Sequence, residues 1–281
     1  MKLPGQTTPA SDLLVRAVRD VEDDMGRPIQ FFDITTHQNP SVRSARGHYD
    51  WDSSSERIWL NPNLSYNDQE AVAAHELAHV LQKAQGYCQT ASQRNENGQA
   101  IFPEINLLGQ TINSLVTDVM ADRWAAQRGF EVEEGLKVDA LPRALNDVKN
   151  KKPDEQESKD WKTYYSTLQE WAKIIESGRQ IQETVILPPE VRTQIRAVGY
   201  ANLKLRLSPF GLFSELDSLW AGYWPEARKL GVEIADLVQA IGTDNKSQCE
   251  RATISIIEHL NIPPELMVVK EPNTGEIVWP D

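Results

Sequence analysis

Two cysteines in 281 residues, Cys88 and Cys249, are too few for a disulfide framework or a metal site built on thiolates. No run of about 18 apolar residues occurs, so no membrane-spanning helix is expected. Positive charge is also short: 29 Lys and Arg stand against 41 Asp and Glu, a net charge of −12. That balance argues against nonspecific affinity for nucleic acid or anionic membrane, and no sustained basic patch offsets it. Residues 1–24 turn acidic quickly and lack the continuous apolar core of a secretory signal. The expected location is a reducing cytoplasm. Neither an internal repeat nor a long low-complexity tract is present.

What remains is enough to build a core. The hydrophobic fraction is 40%, with eight Trp and six Phe, ample for one large domain or two modest ones. Residues 11–25 carry Leu13, Leu14, Val18 and Val21 at helical spacing. Residues 29–35 and 56–60 read as strands, separated by a polar loop holding His37 and His48, which are expected to be solvated. Asn61-Pro62-Asn63 ends the second strand, and Asn67 with Glu70 is the expected capping pair of the next helix, which Gly86 stops. Residues 88–104 read as loop. A second helix is expected from about Asn106 to Arg128, ending at Gly129. Asn146–Asp160, highly charged and broken by Pro153, is the best candidate for a hinge. Residues 154–183, 189–207 and 212–260 are mainly helical by pattern, and residues 267–279 resemble a hairpin.

The chemistry concentrates in His75-Glu76-Leu77-Ala78-His79. Residues i and i+4 lie about 40° apart around a helix, so both imidazoles can face one ion. The glutamate between them can hold or deprotonate a water on that ion. Ala73, Leu77, Val80, Leu81 and Ala84 form an apolar stripe roughly opposite the two histidines. A catalytic zinc takes three protein ligands and keeps one position for water. In the second helix the stripe Leu108, Ile112, Leu115, Val119 runs on to Asp122, with Asp118 one turn earlier at the edge of the same face. Carboxylates placed there need a cation or a partner. The simpler assignment puts Asp118 on the metal and Asp122 behind a histidine N–H; the reverse order stays open, as does pairing of Asp122 with Arg123 or Arg128.

The run Val72 to Gln82, followed by Gly86-Tyr87, resembles the active-site helix of neutral zinc metallopeptidases, whose motif continues H-E-x-G-H-A-x-Q. Asp118 to Ala126 is similar to a segment of the CAAX-prenyl and heat-shock membrane proteases, and to one in phage-repressor-cleaving metallopeptidases. These are gluzincins, in which a later helix supplies an acidic third ligand. Here aspartate stands where they usually have glutamate, Ala78 replaces a frequent glycine, and the membrane helices of two of those families are missing. The resemblance covers about residues 56–130.

With the residue pattern of the rest of the chain, it implies an α+β, mostly helical fold: a zincin-like unit over 1–145 with a short sheet and the H-E-x-x-H helix, then a mainly helical portion over 146–281. The implied function is hydrolysis of a peptide or protein by a zinc-activated water. His75, His79 and Asp118 hold one Zn2+ per chain, Glu76 is the general base, and Asp122 supports from behind. The strand at 56–60 is expected to be the edge that presents an extended substrate. His259, Tyr87 and Tyr200 are suitable in type as oxyanion donors. The Trp220–Trp224 region and Cys88 read as packing. The rivals are a non-catalytic regulatory or interaction protein on the same scaffold, and hydrolysis of a non-peptide amide.

Overall fold

A computed structural model describes residues 1–39, 42–43, 45–51, 54–92, 103–130, 189–207 and 213–280. The fold is α+β and mostly helical, with two small three-stranded sheets. The expected hinge at 146–160, the helix at 154–183 and the division at 145/146 all lie outside the described residues. Among the described residues, one compact unit comprises 1–86 with 120–130, and the other comprises 87–119 with 189–280. No helix among them is long and apolar enough to cross a membrane.

The first unit opens with helix α1, Asp12–Met25, capped by the Ser11 side chain, which accepts from the Leu14 N–H. Such a cap contributes about 1 kcal/mol. Leu14, Ala17, Val18 and Val21 are its buried face. Gly26, at φ 64°, ends it in the left-handed conformation. Strand β1 is Ile29–Asp33, shorter than expected because Asp33 caps a 3-10 turn over Ile34–Thr36. Strands β2, Gly47–Trp51, and β3, Glu56–Leu60, complete a sheet in the order β1-β3-β2. β3 pairs parallel with β1 and antiparallel with β2.

Two expectations fail here. Residues 56–60 form the central strand, not an edge, because both neighbours draw on their backbone hydrogen bonds. His48 lies on a strand rather than in a loop, and His37 is buried rather than solvated.

Helix α2, Tyr66–Ala84, lies on this sheet and on α1. Its cap is Ser65, whose hydroxyl accepts from the Asp68 N–H and donates to the Asp68 carboxylate, and not the Asn67–Glu70 pair. Glu70 instead accepts from the Ser11 N–H at 2.6 Å and the Tyr66 hydroxyl at 2.7 Å, tying α2 to the start of α1. Gly86, at φ 70°, follows the C-terminus as expected. The helix is buried on more than a stripe: Ala71 to Ala74, Glu76 to Ala78, Val80, Gln82 and Lys83 are all covered, whereas Ala84 is exposed. Beneath it Glu56 is fully buried and neutralised by Arg27 at 2.8 Å and by Lys83 at 3.3 Å, with the Tyr49 hydroxyl donating at 2.6 Å.

Helix α3, Pro103–Gln127, begins slightly earlier than expected and is followed by Gly129 at φ 88°. In the second unit, residues 89–92 form strand β4 where a loop was expected. Helices α4, Pro189–Leu207, α5, Phe213–Tyr223, α6, Pro225–Ile241, and α7, Lys246–His259, follow the expected pattern. So does the hairpin of β5, Met267–Lys270, and β6, Ile277–Trp279, which β4 joins alongside β5. α4 and α6 meet at Gly231, where a Cβ would fall 2.5 Å from the Ala197 carbonyl oxygen. Trp220 is fully buried against Tyr200 and Trp224, which makes it core. The Tyr200 hydroxyl donates to Asp217 and His259 Nε2 meets Glu233 at 2.9 Å. Cys88 and Cys249 are buried thiols, neither in a disulfide, and burial pushes Cys88 up to about 11, in keeping with packing rather than reactivity.

Candidate metal centre

His75 and His79 sit one turn apart on α2, each half-buried, with Nε2 atoms 3.0 Å from one another. The other ring nitrogen of each is engaged. His75 Nδ1 meets Asp122 Oδ1 at 2.7 Å, and His79 Nδ1 meets Gln82 Oε1 at 2.8 Å. Both partners are acceptors, so both Nδ1 atoms carry the proton. In the neutral form of each ring Nε2 is then the lone-pair nitrogen, and the two Nε2 atoms face each other across 3.0 Å.

Asp118, on α3, is the third member of a candidate ligand group. One ligand atom from each of His75, His79 and Asp118 lies within 4.8 Å of the others. Asp118 and Asp122 are carried by one continuous helix, a turn apart, which fixes their mutual spacing. The donor set tests well against zinc. Nitrogens each about 2.0–2.1 Å from a tetrahedral ion stand about 3.3 Å apart, near the spacing seen, and two imidazoles with a carboxylate suit that ion's preferences.

The remaining candidates fall as follows. Asp122 is behind His75, not in the trio, and the guanidinium of Arg128 lies 3.8 Å over the Trp124 ring. Glu76 is buried and its carboxylate packs on β2: a Cβ built on Gly47 would fall 2.7 Å from Glu76 Oε1 and 2.4 Å from Val72 Cγ1. Gln82 and Gly47 were not singled out from the sequence. Gln82 was legible in principle, being three residues past His79 on the same helix. Gly47 was not, since its need for a missing side chain comes from a distant helix.

Residues 9–103 match the family described as "Putative metallopeptidase family (DUF6782)". The match takes in α1, the β1-β3-β2 sheet and the whole of α2, and stops where α3 begins, before Asp118 and Asp122. No curated protein and no solved structure matches the chain.

Proposed function

We propose that the chain is a zinc-dependent peptide hydrolase of gluzincin type, with His75, His79 and Asp118 holding one Zn2+ and Glu76 acting as general base. The observation that carries this reading is the pair of Nε2 atoms 3.0 Å apart, each on a ring whose Nδ1 meets an acceptor. The similarity of residues 9–103 to a metallopeptidase family supports the same chemistry. When bound, zinc lowers the pKa of a water toward about 7 and polarises a carbonyl.

The chain's own residues do the rest. Asp122 and Gln82 hold the two rings in register, so the ligands need no reorganisation. Glu76 takes a proton from the attacking water and passes it to the leaving amine. Its position against Gly47 makes β2, an outer strand of the sheet, the strand along which an extended peptide is presented, in place of residues 56–60. A cytoplasmic setting and a peptide or protein substrate belong to the same proposal.

Glu76→Gln is the test, read on a mixed quenched-fluorescent peptide library together with zinc content. The variant should keep its zinc and lose turnover by roughly 10²- to 10⁴-fold. Unchanged cleavage removes Glu76 from the mechanism. Zinc binding without any wild-type cleavage favours the regulatory protein, and amide hydrolysis without proteolysis favours the third reading.

A further inference from the structure

The three-stranded sheet carries a second cluster of ligand-type side chains on the face turned away from α2. Gly47 and Tyr49 of β2 meet Glu76 and Lys83 of α2, so by strand alternation His48 and Asp50 project from the opposite face. Their cross-strand partners there are Trp59 and Arg57. His37, just past the 3-10 turn, closes over the same face: its ring packs edge-on against His48, with centroids 5.2 Å apart, and against Trp59, at 4.7 Å. One ligand atom from each of His37, His48 and Asp50 lies within 4.8 Å of the others.

We propose that His37, His48 and Asp50 form a second metal site, for a divalent transition cation such as Zn2+, structural in role. Two imidazoles and one carboxylate suit such ions, whereas Mg2+ and Ca2+ prefer all-oxygen sites.

The outer contacts are those a ligand set requires. Arg57 Nε donates to Asp50 Oδ1 at 2.7 Å, which leaves Oδ2 turned to His37 Nε2 at 3.2 Å. His37 Nδ1 lies 3.0 Å from the Asn39 N–H and 3.3 Å from the Asn39 carbonyl oxygen. Both tautomers of His37 therefore have a partner. In one, Nε2–H donates to Asp50 and Nδ1 accepts from Asn39 N–H. In the other, Nδ1–H donates to the Asn39 carbonyl and Nε2 offers its lone pair to the cation. Arg43, donating to the His37 carbonyl at 2.7 Å, holds the backbone in place for either. A cation held by all three would join His48 and Asp50 of β2 to His37. Its effect is to pin residue 37 to β2, the strand that borders Glu76.

The site is independent of the α2 centre, and the experiment separates them. Full-length protein is stripped of metal and titrated with Zn2+ alone, with bound zinc read by competition against a chromophoric chelator. Wild type should bind two equivalents, His48→Ala one, His79→Ala one, and the double variant none. His48→Ala leaves the His37–Asp50 bond in place, and His48→Phe, which keeps the ring packing and removes both nitrogens, guards against a folding artefact. One equivalent in wild type with none in His79→Ala overturns the second site, as do two equivalents retained in both His48 variants. One equivalent in wild type, kept in His79→Ala and lost in both His48 variants, upholds it and removes the α2 centre instead.

Discussion

Asp118 and Asp122 lie one turn apart on α3, yet the geometry gives them unequal work, and the difference is measurable. Asp122 stands outside the ligand trio: its Oδ1 holds His75 Nδ1 at 2.7 Å, with the two side chains only 15% and 16% exposed. A hydrogen bond to a charged group in such a setting contributes about 1.5–3 kcal/mol. At about 1.4 kcal/mol per tenfold change, Asp122→Ala should weaken zinc binding roughly 10- to 100-fold. Asp122→Asn keeps an acceptor for the same N–H and loses only the charge, so about tenfold or less is expected. Asp118 is in the ligand trio, and replacing it leaves the cation with two imidazoles and no negative charge. Loss of one partner from a buried charged set costs about 3–5 kcal/mol, and this set is partly buried, so Asp118→Asn should weaken binding by roughly 10²-fold and by no more than about 10⁴-fold. Competition with a chromophoric chelator at fixed pH reads all three variants on one scale. If Asp122→Asn loses zinc and Asp118→Asn binds within tenfold of wild type, the two carboxylates have been assigned the wrong way round.

Two further outcomes follow from the packing around β2. Gly47→Ala introduces a Cβ within 2.4 Å of Val72 and 2.7 Å of Glu76, so it should cost about 1–3 kcal/mol of stability and cut peptide turnover more than tenfold while zinc is retained; wild-type turnover in that variant would detach Glu76 from β2. Burial first, and then the hydrogen bond to Glu56, raise the Tyr49 phenol far above its usual value. The unfolded chain then releases this proton above pH about 10 while the folded chain keeps it, so the contribution is intact below that pH and declines by about 1.4 kcal/mol per unit above it. Urea midpoints from pH 8 to 11 should show Tyr49→Phe less stable than wild type at pH 8, with the gap narrowing above pH 10. A gap constant across the range would refute the buried-phenol account.

The legible parts of the fold were those whose signal is local. α1, α2 and α3 show helical apolar spacing with Gly26, Gly86 and Gly129 just beyond, and each glycine has positive φ. The candidate ligands His75 and His79 stood out because i and i+4 share a helix face, and the fold keeps them together. Asp118 and Asp122 became candidates because carboxylates interrupt an apolar stripe, and both lie beside the histidines. β2 was missed because the half of it that faces α2 is Gly47 and Tyr49, not an aliphatic alternation, and its polar half, His48 and Asp50, reads as loop. The capping pair was misread by two residues: both Ser65-x-x-Asp68 and Asn67-x-x-Glu70 have the right spacing, and only the contact of Glu70 with Ser11 and Tyr66 decides between them.

Strand order was the feature that no window could give, and Glu56 shows why it matters. A charged residue at the start of a strand looks like an exposed edge, where charge blunts aggregation. Here Glu56 is fully buried, and its charge is matched by Arg27, 29 positions before it in the chain, and Lys83, 27 positions after it. Those partners make the position affordable in the middle of the sheet and free β3 to be central. With β3 inside, the strand beside Glu76 is β2, and β2 carries Gly47 against the proposed general base on one face and His48 with Asp50 on the other. A five-residue strand that reads as loop thus borders both candidate cation sites, so strain introduced at Gly47 should reach Glu76 directly, whereas loss of His48 should act on the other face alone.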